Sequence, residues 1–246
     1  MQDELRYDKV NEGIALIQRK NGLTFGTDAL LLSAYISGAF SSGLELGSGS
    51  GIISILLLKR DKVKSITALE VQKDFADICA QNAKKNGLAD RMDTRHCDLR
   101  EFSEGASYSL AFSNPPFMKT DSGKRNIYDE KNIARHEVMG TIDDFCKCAA
   151  RSLKFGGSFY AVYRTDRIED ILFSMRGCGI EPKRMTFVHA DKDMPPSMVL
   201  IEGKRGGACG MRVTPPLLLY KSTDHKEHTD DYDYIYENGC FPKKFK

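Results

Sequence analysis

GLELGSGSG, Gly43–Gly51, followed at once by IISILLLKR, Ile52–Arg60, decides the fold. Apolar residues around a single acid read as a buried strand. Three glycines at alternate positions read as a turn that needs positive φ and close backbone approach. The apolar run after them reads as a buried helix. The same strand, turn and helix sequence then recurs along the chain. SITALE (65–70) is a strand, and KDFADICAQNAKKNG (73–87) is an amphipathic helix closed by Gly87. MDTRHCD (92–98) and YSLAFS (108–113) are strands. IDDFCKCAARSLKFGG (142–157) is a helix ending at a glycine pair, and SFYAVY (158–163) is a strand. TDRIEDILFSMRGCG (165–179) is a helix, and MTFVHA (185–190) and SMVLIEG (197–203) are strands.

Alternation of this kind predicts an α/β fold around a mostly parallel, doubly covered sheet of seven strands. The DKDMPP link, 191–196, is too short for a crossover helix, so the last two strands should pair as an antiparallel terminal hairpin. Before this region, GIALIQRKNGLTFG carries Asn21-Gly22 between two alternating stretches, a hairpin-turn signal. TDALLLSAYISGAF (27–40) reads as a buried helix with Thr27 or Asp28 as its N-cap. The expected division is residues 1–40, a hairpin and helix packing on the cofactor site; 41–220, the main domain; and 221–246, a polar, tyrosine-rich tail with at best a short helix.

The 246 residues are 41% hydrophobic and 28% charged, which fits a folded globule. A net charge of +2 neither demands nor excludes a nucleic-acid partner, so any basic surface has to be local. The longest apolar run is far short of the roughly 18 residues a membrane span needs, and the polar N-terminus has no secretory pattern. The seven cysteines are scattered without a Cys-x-x-Cys pair. They read as reduced thiols of a cytoplasmic protein without a metal site.

The glycine loop narrows the ligand. A dinucleotide fingerprint needs glycine six positions on, but Ile52 and Ser54 stand there when counted from Gly47 and Gly49. Glu70 ends the second strand, 19 residues after Gly51, where an acid can accept from both ribose hydroxyls. Asp98 follows the third strand, where a carboxylate can accept from an adenine amino group. Gly47, Gly49 and Gly51 with these acids describe a pocket for an adenosine without pyrophosphate, and S-adenosylmethionine fits. Glu45, within the first strand, and Leu99, beside Asp98, are counted with the cofactor-binding positions.

The fourth strand runs straight into NPPF, Asn114, Pro115, Pro116 and Phe117. A double proline is a stiff corner. Stiffness also serves chemistry on a planar amine, whose delocalised lone pair makes it a poor nucleophile. The Asn114 side-chain oxygen and the Pro115 carbonyl can accept its protons and stabilise the charge that grows on nitrogen. Phe117 can stack on the flat face. A sulfonium cofactor is already a strong electrophile, so no protein nucleophile or metal is required.

LELGSGSG, the acids in ALEVQKD and HCDLRE, and NPPF together resemble the ordered motifs of class I S-adenosylmethionine-dependent amino-methyltransferases, a Rossmann-like fold. Those motifs are shared by enzymes acting on adenine N6, guanine N2 and a release-factor glutamine. NGLTFGTDALLLSAY, NIARHEVM and EPKRMTFV…VLIEGKRGG…VTPPLLLY are further similar to the bacterial tRNA1Val adenine-N6 methyltransferases, from about Asp8 to Tyr236. The resemblance implies that the target is the adenine 3′ of the anticodon, so that the partner is a tRNA anticodon arm. It makes Gly47, Gly49 and Gly51 the methionine-side cradle, Glu70 the ribose acceptor, Asp98 the adenine contact, and Asn114–Phe117 the target clamp. Phe25, Thr27 and Asp28 would lie against the methionine end. Many members of this family read NPPY. Guanine-N2 enzymes often carry the NPPF found here, and guanine N2 and protein glutamine remain alternatives.

The stretch between Phe117 and Gly140 holds Lys119, Lys124, Arg125, Lys131, Arg135 and His136. It starts at the reacting edge, so Lys119, Lys124, Arg125, Arg135 and His136 are the candidate RNA contacts. The doublets Lys183-Arg184 and Lys204-Arg205 should instead meet at the opposite end of the sheet.

Overall fold

The computed structural model describes residues 5–10, 13–19, 26–115 and 140–246. In chain order its elements are β1 (Leu5–Val10), β2 (Ile14–Arg19), α1 (Thr27–Tyr35), β3 (Gly43–Leu46), α2 (Ile52–Lys59), β4 (Ile66–Glu70), α3 (Lys73–Lys85), β5 (Met92–His96) and β6 (Tyr108–Ser113). There follow α4 (Ile142–Ser152), β7 (Leu153–Arg164), α5 (Ile168–Gly177), β8 (Ile180–His189), β9 (Pro196–Arg205), the short β10 (Arg212–Val213) and β11 (Leu217–Leu218), and α6 (Asp230–Asn238).

The main sheet runs β10-β8-β9-β7-β6-β3-β4-β5, with β11 also beside β8. Strands β7, β6, β3, β4 and β5 are parallel. β9 is antiparallel to both β7 and β8, as the short 191–196 link requires. All seven expected strands are present, and β10 and β11 add two residues each at one side. From β3 the chain steps to β4 and β5 on one side, then returns to β6 and β7 on the other. This reversal opens a crevice between β3 and β6 at their carboxyl ends, the place where open α/β sheets bind ligands.

Two cores sandwich the sheet. One packs α1 and α2 with the C-terminal segment, and the other packs α4 and α5. Ile52–Leu58 of α2 are all buried, and each fully buried Leu or Ile contributes about 1.5–3 kcal/mol.

Three local expectations change, and a fourth lies outside the described residues. β1 pairs antiparallel with β2, from Leu5 opposite Arg19 to Val10 opposite Ile14; the Asn21-Gly22 turn signal lies outside the described residues. Gly26, rather than Thr27 or Asp28, is the N-cap of α1, and no side chain caps that helix. Helix α4 ends at Ser152, not at the glycine pair, because the chain enters β7 at Leu153 and bulges before regaining register at Ser158 opposite Leu110. The segment from 221 onward holds the short helix allowed for it, but it packs into the core rather than standing apart as a polar tail. It carries α6 and buries Tyr232, Ile235, Phe241 and Phe245.

Long-range polar contacts fix these outer pieces. Asn82 of α3 and Asn86, its C-cap one turn on, act as a substitute strand for β2. Asn82 accepts from Ile17 N at 2.7 Å and donates to Ile17 O at 3.0 Å; Asn86 accepts from Ala15 N at 3.1 Å and donates to Ala15 O at 2.9 Å. Buried Arg184 stacks on the Tyr35 ring at 4.0 Å and donates to Glu202 at 2.8 Å and to the carbonyls of Tyr35 and Phe245 at 3.0 and 2.9 Å.

Candidate active site

Register places the site. Leu46 of β3 lies opposite Leu69 of β4 and Ser113 of β6. Gly47 and Asn114 are each the next residue, so they leave neighbouring strands side by side. The loop is pinned to its neighbours: Gly47 N and Ser48 N donate to Leu69 O at 3.0 and 2.9 Å, and Ser113 Oγ donates to Leu46 O at 2.7 Å. Gly47, Gly49 and Gly51 all have positive φ, at 72°, 54° and 80°.

Their surroundings differ. A Cβ on Gly49 would meet nothing within 4 Å. On Gly51, which caps α2, it would sit 2.6 Å from Cys79 Sγ and 2.9 Å from Met92 Cε. Gly49 thus faces open space and Gly51 faces packed core.

An open cleft, about 760 Å³ with the open solvent at its mouth counted in, lies against this edge, lined by Gly47, Gly49, Ser50, Leu69, Glu70, Val71, Gln72, Phe75, Cys97, Asp98, Leu99, Asn114 and Phe145. Apolar walls from Leu69, Val71, Phe75, Leu99 and Phe145 suit a flat base, and Glu70 and Asp98 supply the acceptors. The expected S-adenosylmethionine therefore fits the residues present.

Glu70 is 3% exposed, and burial pushes its carboxyl up from the ordinary glutamate value. It accepts from Gly49 N and Gln72 N, both at 2.9 Å. Asp98 behaves oppositely, because the Arg100 guanidinium holds its carboxyl below the usual range. Arg100 Nε reaches the two Asp98 oxygens at 2.9 and 3.0 Å.

Asn114 Nδ2 donates to Asp28 Oδ2 at 2.8 Å. Its Oδ1 is buried and has no hydrogen-bond partner among the described residues. Pro115, next to it, is buried.

Of the expected cofactor residues, Gly47, Gly49, Glu70, Asp98, Leu99 and Asn114 line the cleft. Glu45, Gly51, Thr27 and Asp28 do not. The Glu45 carboxyl is fully buried behind the loop, accepts from Ser54 Oγ, and is pushed by burial to about 8. Burial pushes the Tyr232 hydroxyl of α6 up, and the Thr27 side chain beside it acts in the opposite direction. Phe25, Pro116, Phe117, Lys119, Lys124, Arg125, Arg135 and His136 lie outside the described residues.

Phe75 and Phe145 were not expected at the site. Phe75 had a signal, being an aromatic in the first turn after the acidic strand end. Phe145 had none locally. A capping box, Thr141 with Asp144, starts the helix that carries its ring to within 3.4 Å of a Cβ position on Gly47.

Among the described residues no cluster of three or more His, Cys, Asp or Glu side chains is placed to hold a metal. None of their helices is long and apolar enough to cross a membrane. The Lys183-Arg184 and Lys204-Arg205 doublets meet at the sheet end opposite the cleft, with Glu181 beside Lys204.

Comparison with known proteins agrees with this geometry. A tRNA1(Val) (adenine(37)-N6)-methyltransferase of Phocaeicola vulgatus is 29% identical over 184 residues, covering 73% of this chain and 76% of the relative. Among solved structures, a predicted O-methyltransferase from Agrobacterium tumefaciens superposes with a TM-score of 0.71 at 14% identity, over 88% of this chain and 98% of that one. M. jannaschii TYW2, solved with AdoMet, superposes with a TM-score of 0.58 at 15% identity, over 82% of this chain and 87% of that one. The sheet order is that of the class I methyltransferase fold, and residues 19–173 match the methyltransferase small domain, so the chain belongs to the methyltransferase small domain family.

Proposed function

We propose that this protein is an S-adenosylmethionine-dependent tRNA methyltransferase acting on N6 of the adenine 3′ of the anticodon. The observation that carries the chemistry is Asn114, which lines the cleft and whose Oδ1 is buried and has no hydrogen-bond partner among the described residues. A buried acceptor without a donor costs stability unless a ligand supplies one, and an exocyclic amine is such a donor. The substrate assignment rests on the relatives named for adenine 37 of tRNA1(Val).

S-adenosylmethionine, when bound, supplies an electrophilic methyl group. The chain's own residues bind and orient. Gly47 and Gly49 let the backbone approach the methionine portion, Glu70 accepts from the ribose, and Asp98 with Leu99 holds the adenine. Asn114 Oδ1 and the Pro115 carbonyl accept hydrogen bonds from the target amine's two N–H groups, Phe117 stacks on its ring, and the one proton the nitrogen sheds after transfer passes to solvent. Accepting those hydrogen bonds favours a pyramidal nitrogen and stabilises the positive charge developing there.

Lys119, Lys124, Arg125, Arg135 and His136 follow the catalytic corner in sequence and are the proposed phosphate contacts of an anticodon arm. The reading places the protein in the cytoplasm, with tRNA. Residues 41–220 are the catalytic domain, residues 1–40 close its cofactor side, and the C-terminal segment braces α1.

Labelled S-adenosylmethionine offered with total tRNA, ribosomal RNA and a release factor tests this. Label should enter tRNA and be recovered as N6-methyladenosine. Recovery as N2-methylguanosine, or in the release factor, would replace this reading with one of its alternatives. Charge reversal at Lys124, Arg125 or Arg135 should weaken tRNA binding more than reversal at Lys183 or Lys204, at matched salt.

A further inference from the structure

We propose that Asp28 is a positioning residue for methyl transfer: it holds the Asn114 amide with its oxygen, not its nitrogen, toward the cleft. The inference rests on the reading that Asn114 Oδ1 accepts from the target amine.

An asparagine amide has two nearly isosteric orientations, one offering an acceptor and the other two donors. Facing an amine that presents N–H donors, only the acceptor is useful. The donor orientation would set N–H against N–H. Nothing in Asn114 itself chooses between them.

Asp28 does choose. An ionised carboxylate is acceptor-only, so the amide must turn Nδ2 toward it, and the 2.8 Å contact is that bond. The same rotation leaves Oδ1 buried, without a partner among the described residues, on a side chain that lines the cleft. Asp28 does not line the cleft and stands in the first turn of α1, where the helix N-terminus favours a negative charge.

A second observation shows that the local sequence accommodates this placement. A Cβ on Gly26 would lie 2.6 Å from Asp28 Oδ1. The φ of Gly26 is −115°, an ordinary value for any residue, so backbone conformation does not call for glycine there. Room for the Asp28 carboxylate does.

The test is an exchange of the two side chains. Asp28→Asn lets the amide at 114 take either orientation, so kcat for RNA methylation should fall at least tenfold. KM for RNA and Kd for S-adenosylmethionine should stay within about twofold. Asn114→Asp sets two carboxylates against each other and should also lose activity. In the double variant the amide at position 28 donates to the carboxylate at position 114, which still offers an oxygen to the cleft. Its kcat should exceed that of either single variant at least tenfold. Gly26→Ala, which crowds the carboxylate, should reproduce the kcat loss.

Side-chain amide NMR of asparagine-labelled protein reads the orientation without any turnover. The Asn114 NH2 pair should exchange slowly in the parent and rapidly in Asp28→Asn. An unchanged kcat in Asp28→Asn, a loss confined to cofactor affinity, or no recovery in the double variant overturns the proposal. If the parent methylates no RNA, the functional reading falls. The amide exchange then still decides the orientation, and equal exchange in parent and variant would refute it.

Discussion

The backbone N–H of Gly49 donates to Glu70 Oε2 at 2.9 Å, which joins the loop after β3 to the acid ending β4. Glu70 spends its other oxygen on Gln72 N. Both oxygens accept, so the near-isosteric Glu70→Gln is not silent: its NH2 must face one of two N–H donors. Cofactor affinity should fall about 10- to 100-fold, and stability by about 1–2 kcal/mol, measured by calorimetry and denaturant titration. Burial raises the Glu70 carboxyl, so the group protonates on acidification before an exposed glutamate does. Ribose hydroxyls favour the ionised form. The parent's affinity should therefore drop as pH falls through that raised value, and Glu70→Gln should lack this step.

Glu45 makes a different pH prediction. Its carboxyl is pushed by burial to about 8, with the neighbouring Glu70 charge adding to the effect. Between the ordinary glutamate range and pH 8 the folded chain holds a proton that the unfolded chain releases. Stability from this group therefore declines as pH rises through that window, by on the order of a few kcal/mol. Glu45→Gln keeps an acceptor for Ser54 and removes the titration. Its Tm should match the parent near pH 5 and exceed it by several degrees at pH 8–9. Parallel melting curves across that range would contradict the assignment.

Gly49 and Gly51 separate ligand space from core space. Gly49→Ala meets no neighbour, so only positive-φ strain is added, about 1–2 kcal/mol. Its main effect should be on cofactor binding, weaker by more than tenfold. Gly51→Ala adds to that strain a clash with Cys79 and Met92 and should cost more stability than Gly49→Ala. Thermal melts without cofactor, paired with cofactor titrations, check this order.

Lys62 ties the C-terminal segment to α1. Its Nζ donates to the carbonyls of Ser33, Ala34, Ile36 and Gly239, at 2.8, 3.3, 2.8 and 3.0 Å. Lys62→Met leaves those oxygens short of a charged donor and should cost about 2–4 kcal/mol. Hydrogen exchange in α6 should rise more than in β3 or β4.

What the sequence disclosed follows from the range of the forces involved. Glycine spacing, strand alternation and the short 191–196 link act locally, so the parallel sheet, its terminal hairpin and the Glu70 and Asn114 strand ends were legible. Pairings between distant residues were not. Nothing near Phe245 indicates that its carbonyl receives Arg184, and nothing near Asn82 that it borders β2. The start of β7 at Leu153 was hidden because the helix pattern runs on into a glycine bulge. Thr27 and Asp28 offered standard capping chemistry. Gly26 caps the helix, and a tertiary partner, Asn114, claims Asp28 instead.

Position-resolved mass spectrometry of a tRNA1Val transcript, after incubation with the protein and S-adenosylmethionine, tests the central claim most directly. One methyl group should appear on N6 of the adenine 3′ of the anticodon, and none on a transcript with guanine there. Asn114→Ala should abolish the signal while leaving Kd for S-adenosylmethionine within a few-fold. Methylation of the guanine transcript, transfer at another site, or full activity in Asn114→Ala would contradict the account.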